Sequence, residues 1–262
     1  MPLVNNSQLI QAQYANAEKL DIRIALHQKY SLNKEPFGDW ILSHYELKPG
    51  MRVLELGCGT GNMWHDAPQW LPEDASLILT DFSEGMLDVA KGNVPPLPNI
   101  SFRQVDIQQI PYEDNAFDVV IANMMLYHVP DLDKALSEVA RVLKPDGRFF
   151  CATVGEQGVA FWLAKTLGHQ DGNAYPFSLQ NGKVSLSRYF GQVECRNRED
   201  GLRVTDVEDL TDYVLSMASF SGLKDWPREK LTALLSRQAE EGVIAIPKEY
   251  GLFICTQPKA TR

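Results

Sequence analysis

A glycine-rich turn beside a glutamate is the part of this sequence whose residue types and spacing point most directly to chemistry. Residues 53–62 read VLELGCGTGN. An apolar run containing Glu55 leads there into three glycines at alternate positions, Gly57, Gly59 and Gly61. A strand that ends in such a turn offers bare backbone at its carboxyl end, where ligands of open parallel sheets bind. The turn therefore predicts a site for a mononucleotide-like ligand, with a carboxylate held beside it.

Acidic residues after the next two predicted strands suit the same ligand. Asp81 follows Gly61 by 20 residues, the separation at which a second-strand carboxylate accepts hydrogen bonds from both ribose hydroxyls. Asp106, after the third strand, is placed to accept from an adenine amino group. Glu55 suits a ligand with positive charge and would repel a pyrophosphate. Because the dinucleotide fingerprint also expects Gly or Ala where this chain has Asn62, an NAD-dependent oxidoreductase is the weaker interpretation.

The elements that must position these residues are predicted by short apolar runs that alternate with amphipathic segments. The predicted strands are Arg52–Leu56, Ser76–Thr80, Ile100–Val105, Phe117–Ala122 and Arg148–Val154. Helices are predicted between them, one capped by Ser83 and another running from Leu132 to Leu143 behind the capping residue Asp131. Continuous apolar strands separated by crossover helices are typical of a parallel α/β sheet with both faces covered.

Four regions follow from the change of pattern along the chain. We predict an N-terminal helical lid (1–48), an α/β core (49–154), a substrate-binding cap or insertion (155–187) and a C-terminal segment (188–262) that completes the core. The insertion is rich in Gly, Asn and Gln with aromatic residues between them, and it does not continue the strand–helix rhythm.

The C-terminal segment carries further predicted elements. Tyr189–Arg196 has the pattern of a strand, and Thr205 opens a capping box that starts a helix. Gly242–Ile246 and Gly251–Thr256 predict a terminal hairpin.

Composition narrows the possible partners. Lys and Arg number 25 against 34 Asp and Glu, and the net charge of −9 is the wrong sign for holding a nucleic-acid backbone. No run approaches the roughly 18 to 20 apolar residues that span a membrane, and the N-terminus lacks the pattern of a secretory signal. The cysteines show no metal-ligand or paired spacing. We therefore expect a cytoplasmic protein without nucleic-acid partner, membrane insertion or metal site, and the oligomeric state stays open.

Taken together, the motifs resemble those of the class I S-adenosylmethionine-dependent methyltransferases. The resemblance covers roughly residues 50–154 and rests on four stretches in the expected order: VLELGCGTG, LTDFSEGML, VDIQQIPYEDNAFDVVIANMMLYHVPD and ARVLKPDGRF. It is strongest to the small-molecule branch that serves ubiquinone and menaquinone biosynthesis (methyltransferase type 11 domain). It implies a Rossmann-like, seven-stranded, mostly parallel sheet with an antiparallel terminal strand. It also implies S-adenosylmethionine as methyl donor, S-adenosylhomocysteine as product and a small-molecule acceptor.

The resemblance assigns donor-binding roles to residues at the turn and at the ends of the neighbouring strands. These residues are Glu55, Gly57, Cys58, Gly59, Gly61, Asp81, Phe82, Met86, Asp106, Ile107 and Asn123. The residues of the turn would contact the donor largely through their backbone. Glu55 would lie near the methionine amino group, Asp81 would hold the ribose, and Asn123 would contact the methionine moiety.

The remaining implied roles concern the adenine. Phe82 and Met86 would flank the ring, although an aromatic residue and a methionine at helical spacing are also common in cores. Asp106 and the backbone of Ile107 would bind its polar edge.

Catalysis requires little covalent chemistry from the protein. Methyl transfer from a sulfonium is an in-line displacement, to which orientation contributes about 7 to 11 kcal/mol in well-aligned cases. A general base is needed only when the accepting O, N or C atom must lose a proton. His128, in the loop after the fourth strand, is the candidate base, and its neighbour Tyr127 is the alternative.

The N-terminal helix carries candidates for a lid over the donor. Arg23, His27 and Tyr30 share one side of a helix at i, i+4 and i+7, and Tyr14 precedes them. An ordinary solvated helix face explains the same spacing equally well. The acceptor is expected between this helix and the 155–187 insertion, whose aromatic residues suit an apolar or planar molecule. A catalytically silent S-adenosylmethionine-binding sensor or partner protein is the alternative function, because donor binding and catalysis use different residues.

Overall fold

The computed structural model describes residues 18–168, 175–217 and 226–259 of the chain. Its strands are β1 (Arg52–Leu56), β2 (Ser76–Asp81), β3 (Ile100–Gln104), β4 (Phe117–Ile121), β5 (Leu143–Val154), β6 (Phe190–Val204) and β7 (Ile244–Pro258). Its helices are α1 (Glu18–Tyr30), α2 (Phe37–Leu42), α3 (Ala67–Trp70), α4 (Glu84–Asn93), α5 (Leu132–Val142), α6 (Val159–Thr166), α7 (Gly182–Leu186), α8 (Val207–Ser216) and α9 (Arg228–Ser236). Turns of 3₁₀ helix cover Asn62–Trp64 and Leu126–His128.

The strands form a seven-stranded sheet in the order β3-β2-β1-β4-β5-β7-β6. Strands β1 to β5 pair in parallel, whereas β7 is antiparallel to both of its neighbours. The predicted mostly parallel sheet with an antiparallel terminal strand is therefore confirmed. The carboxyl ends of β1 to β5 meet at one edge, called the carboxyl edge below.

Side chains of alternate residues in the central strands enter separate cores on the two faces of the sheet. Leu54 joins the core that contains Leu136 of α5, whereas its neighbour Val53 joins the core that contains Tyr45 and Trp64. This alternation follows from the two-residue period of a strand. Both faces of the sheet are covered by buried clusters, which accounts for the mostly apolar sequence of the central strands.

Local capping signals place the helices as predicted in the core. The Ser83 hydroxyl accepts from the Met86 amide at 3.4 Å at the start of α4. The Asp131 carboxylate accepts from the Lys134 amide at 3.0 Å at the start of α5. Such caps satisfy amide groups that have no partner within the helix.

Four predictions for the later elements are wrong in their bounds or pairing. The predicted strand Tyr189–Arg196 covers only the first half of β6, which continues to Val204. The predicted hairpin arms Gly242–Ile246 and Gly251–Thr256 do not pair with each other. Residues 244–246 and 251–256 lie in the single strand β7, which pairs along β6 from Phe190 to Val204. Strand β5 begins at Leu143 rather than Arg148, with a register shift opposite β4. The cap of α8 is Asp206 rather than Thr205, because the Asp206 carboxylate accepts from the Glu208 amide at 3.0 Å.

The N-terminal helix and the insertion pack into shared cores. Leu26 of α1, Val159 and Leu163 of α6 and Leu210 of α8 belong to a third buried cluster against β6 and β7. Phe177, also in the insertion, joins the core beneath α5. The four predicted regions are therefore packed together where the structure describes them, and their boundaries stay a prediction. No helix in the described ranges is long and apolar enough to cross a membrane.

Candidate functional site

The glycine turn places its three glycines in the left-handed backbone region, but for different reasons. Their φ angles are 72° at Gly57, 56° at Gly59 and 71° at Gly61, values that strain any residue with a Cβ atom. A Cβ at Gly57 would lie 2.9 Å from Met125 Cγ, and one at Gly61 would lie 2.8 Å from Val94 Cγ2. A Cβ at Gly59 would meet no described atom within 4 Å apart from its chain neighbours. Gly57 and Gly61 thus permit close packing, whereas Gly59 leaves space in which a ligand can reach the backbone.

Asp81 ties the second strand to this turn. Its Oδ2 accepts from the Gly59 amide at 2.9 Å, and its Oδ1 accepts from the Ser83 amide at 2.8 Å. Burial raises the pKa of Asp81, and the donated amide hydrogen bonds oppose that rise. Each carboxylate oxygen can accept a further hydrogen bond, so Asp81 is oriented by backbone and can still accept from a ligand.

Glu55 is a buried carboxylate without a cationic partner among the described residues. The residue is only 3% exposed, and its Oε2 atom accepts a hydrogen bond from Trp64 Nε1 at 2.5 Å. Burial raises the pKa of Glu55 to about 7, the Trp64 hydrogen bond opposes this, and the charge of Asp81 adds to it. A buried acid beside an open backbone turn is chemically suited to a ligand that brings an ammonium group.

Asn123 connects β4 to its surroundings at the carboxyl edge. Its Nδ2 donates to Tyr45 Oη at 2.5 Å, and its Oδ1 accepts from the Ala152 amide at 3.0 Å. Burial, followed by the charge of Glu55, raises the pKa of Tyr45 well above its usual value. Tyr45 and Trp64 are parts of the site that the sequence interpretation missed. Trp64 lies nine residues after Glu55 in the turn that follows the glycines, a signal that could have suggested it. Tyr45 has no comparable local signal.

The predicted adenine-binding residues lie at the ends of β2 and β3. The Asp106 Oδ1 atom accepts from the Gln108 amide at 2.9 Å and from Gln108 Nε2 at 3.1 Å. Phe82 is 44% exposed and can cover a ligand, whereas Met86 is 2% exposed and faces the interior. Ile107 is also buried, so its backbone is the part that suits a polar contact.

His128 and Tyr127 lie in the 3₁₀ turn that follows β4. Their ring centroids are 4.5 Å apart, and the Tyr127 ring lies 5.7 Å from that of Tyr175. The preceding Met124 has a positive φ of 55°, and Met125 packs against Gly57. The candidate base therefore lies on a constrained loop that packs against the glycine turn through Met125.

The predicted lid residues divide into an anchor and an inward-facing pair. Tyr30 is buried and its Oη donates to Asp209 Oδ2 at 2.6 Å, which fastens α1 to α8. His27 Nε2 lies 3.3 Å from Tyr250 Oη on β7, and Arg23 is close enough to influence the pKa of His27. Tyr14 lies outside the described residues.

One surface groove lies away from the carboxyl edge. A groove of about 520 Å³ is lined by Arg52 and residues 110–116, at the amino edge of the sheet, where no predicted site residue lies. In the described ranges, no group of three or more His, Cys, Asp or Glu side chains could hold a metal ion.

Comparison with known proteins agrees with the geometry. The matching family is described as "Methyltransferase domain", over residues 47–181. The demethylmenaquinone methyltransferase of Symbiobacterium thermophilum is 37% identical over 200 residues, which are 66% of this chain and 79% of that protein. The ubiquinone/menaquinone biosynthesis C-methyltransferase UbiE of Vibrio campbellii is 36% identical, over 65% of this chain and 71% of its own length.

A solved structure extends the likeness in fold. The YcgJ protein from Bacillus subtilis aligns with a TM-score of 0.60 over 85% of this chain and 98% of that one, at 20% identity. With the order of the strands, the glycine turn and its acids, these matches give one conclusion. The chain belongs to the methyltransferase-domain family and is a class I methyltransferase that uses S-adenosylmethionine as its methyl donor.

Proposed function

We propose that this protein transfers the donor methyl group to a small planar acceptor that carries a hydroxylated ring. The two curated relatives named above act, by their names, on demethylmenaquinone and in ubiquinone and menaquinone biosynthesis. The aromatic residues beside His128 on the carboxyl edge support a planar acceptor on the same side as the donor turn. Whether the accepting atom is O, N or C is decided by the acceptor.

The observation that carries the donor half of the proposal is the buried Glu55 beside the open Gly59. An ammonium group at Glu55 would supply the missing cation and favour the ionised carboxylate. Asp81, already oriented by the amides of Gly59 and Ser83, would accept from the ribose hydroxyls. Phe82 would cover the adenine, and Asp106 would accept from its amino group after exchanging its contact with Gln108.

Bound S-adenosylmethionine supplies an electrophilic methyl group on a sulfonium. The chain's part is to align donor and acceptor and to exclude water, which can lower the barrier by about 7 to 11 kcal/mol in well-aligned cases. The loop from Asn123 to His128 would form the wall between the two molecules, because it begins beside Glu55 and Tyr45 and ends in the aromatic group. His128 would accept the acceptor's proton where one must leave.

Methyl transfer is tested with isotope-labelled donor and a fractionated cell extract. Purified protein should label products of low molecular mass, because the acceptor proposed is a small molecule. Label in protein or nucleic acid would overturn the small-molecule acceptor. Binding of S-adenosylhomocysteine without any labelled product would overturn transfer while leaving the donor site intact.

The role of His128 is tested once the acceptor is known. His128→Ala should lower kcat by about 10²- to 10⁴-fold if a proton is removed during transfer. The Tyr127→Phe variant is the matched test of the alternative base, because it retains the ring and removes only the hydroxyl. Normal turnover in His128→Ala would remove His128 as the base.

A further inference from the structure

A second polar group lies at the carboxyl edge, and donor binding does not use it. His27 Nε2 lies 3.3 Å from Tyr250 Oη and 3.5 Å from Tyr213 Oη, with both phenol rings edge-on to the imidazole. Tyr250 pairs with Val154 at the carboxyl end of β5. Lys248 Nζ lies 5.2 Å from the Tyr250 ring centroid. These side chains, His27, Tyr213, Tyr250 and Lys248, are called the His27 cluster.

The His27 cluster continues toward the candidate base. The phenols of Tyr213, Tyr127 and Tyr175 are close enough to Tyr250 to affect its pKa electrostatically. Tyr127 in turn contacts the His128 ring. His27, Tyr127, His128, Tyr175 and Tyr250 all keep partial solvent exposure. Part of each of these residues therefore reaches solvent.

One nitrogen of His27 lacks a partner within the described residues. Nδ1 is out of contact with solvent and makes no hydrogen bond there. Burial, and then the charge of Lys248, lowers the pKa of His27 to about 3, while Asp200 opposes and Arg23 adds to the shift. The ring is therefore neutral with a single N–H. Burial raises the pKa of Tyr250 well above its usual value, so its hydroxyl stays protonated and can donate to Nε2. We therefore assign the ring proton to Nδ1, where it has no acceptor among the described residues.

The buried ion pairs next to the His27 cluster contain more positive than negative charge. The Asp200 Oδ2 atom accepts from Lys248 at 2.5 Å and from Arg198 at 2.8 Å, and the three side chains are 0%, 3% and 2% exposed. A single carboxylate thus serves two buried cations, which leaves one positive charge in excess in this group. Because charge is poorly screened in a buried environment, the excess favours an anion nearby.

We propose that the methyl acceptor carries a carboxylate, which binds at His27 Nδ1 beside Lys248 while its ring lies against Tyr127, Tyr175 and Tyr250. This inference rests on the proposed function and adds the charge class of the acceptor. The oxygen would accept the unsatisfied N–H, and its negative charge would balance the excess cation. Neutral acceptors of the same shape would gain only the ring contacts.

The charge preference is tested by calorimetry with two planar phenols of equal size. 4-Hydroxybenzoate and 4-hydroxybenzamide are titrated into protein with and without saturating S-adenosylhomocysteine. We expect the anion to bind about tenfold more tightly, as a charge-assisted hydrogen bond allows. Lys248→Met should reduce the preference to below about threefold, since Arg198 then balances Asp200. Lys29→Met, which removes an exposed lysine that pairs with Asp209, is the control and should retain it.

The assignment of Nδ1 is tested by two amides at position 27. The amide of Asn can occupy the position of Nδ1, whereas the longer side chain of Gln reaches that of Nε2. We expect His27→Gln to weaken 4-hydroxybenzoate binding about tenfold and His27→Asn to stay within about threefold of the native protein. A purely structural role, in which Nε2 holds Tyr213 and Tyr250, predicts the reverse order.

Several outcomes would overturn the inference. They are equal affinity of the two probes for the native protein, no measurable binding of 4-hydroxybenzoate, or the reverse order of the His27 variants. Melting temperature and S-adenosylhomocysteine affinity should be unchanged in both His27 variants. Loss of S-adenosylhomocysteine binding by the native protein would instead contradict the donor site of the proposed function.

Discussion

The glycine turn and the His27 cluster lie at the same edge of one sheet but have opposite electrostatic character. Around the turn, Glu55 and Asp81 are carboxylates held by N–H donors, without a cation beside them in the described structure. In the His27 cluster, Lys248 and Arg198 share one carboxylate. The first region suits the positive end of the donor and the second suits a negative acceptor. A sulfonium donor and an anionic acceptor would thus be held at separate ends of one site.

Asp81→Ala should produce the largest loss on the donor side. The substitution removes the acceptor for the Gly59 and Ser83 amides and the proposed ribose ligand, so S-adenosylhomocysteine affinity should fall by about 100-fold or more, roughly 3 kcal/mol. Calorimetry measures the change. Asp88→Ala is the control, because Asp88 is an exposed acid on the following helix that pairs with Lys91. Equal affinities in the two variants would remove Asp81 from the donor site.

Glu55 should make donor affinity depend on pH. Its pKa is raised to about 7 without ligand, so the carboxyl is protonated below that pH and ionised above it. Because the ionised form binds the ammonium group, affinity should rise by up to about tenfold per pH unit below 7 and level off above it. Titrations between pH 5.5 and 8.5 measure this dependence. Glu55→Gln should bind weakly, with a flat profile over the same range, and an unchanged slope would assign the titration to another group.

Glu55 should also affect the stability of the unliganded protein, with the opposite sign. A carboxyl whose pKa is raised on folding from 4.5 to about 7 destabilises the folded state as pH rises through that window. The loss should not exceed about 3 kcal/mol in the free energy of unfolding. Urea denaturation at pH 5 and 8 measures it. The Glu55→Gln variant should show a smaller difference between the two pH values, and saturating donor should narrow it in the native protein.

Two glycines allow packing and ligand approach to be separated. Gly61→Ala would place its Cβ 2.8 Å from Val94 Cγ2 at a φ of 71°, so it should lower unfolding stability by about 2 to 4 kcal/mol. Gly59→Ala meets no described atom within 4 Å and should cost about 1 to 2 kcal/mol from backbone strain alone. Relative to its small loss of stability, Gly59→Ala should nevertheless lose more donor affinity than Gly61→Ala does. Urea denaturation and calorimetry on the same samples distinguish the two effects.

Tyr30→Phe should give the smallest effect, and of the two ligand affinities it should change only that for the acceptor. Loss of the hydrogen bond to Asp209 should reduce stability by about 1 kcal/mol, because α1 stays packed on α8 through Leu26 and its neighbours. S-adenosylhomocysteine affinity should be unchanged, whereas 4-hydroxybenzoate should bind less tightly through a less firmly held His27. A change confined to donor binding would contradict the separation of the two regions.

The sequence predicts local features more accurately than contacts between residues that are far apart along the chain. Apolar runs and helix caps are local signals, and they predict the ends of β1, β2 and β3, near which Glu55, Asp81 and Asp106 lie, to within a residue. The prediction of a terminal hairpin is wrong because β7 pairs with β6, and no local sequence signal indicates that long-range partner. Cys58, Met86 and the other donor-binding assignments stay predictions, since the geometry locates them without a ligand.

The sequence by itself determined the family, the parallel core and the acidic glycine turn, because these depend on residue types at short and regular spacing. Only the tertiary structure decided that Tyr45 and Trp64 surround the site and that His27 meets Tyr250 and Lys248 across the chain. His27 and Tyr250 are separated by 223 positions. No periodicity records such a contact, because packing of α1 against β7 is what brings these side chains together.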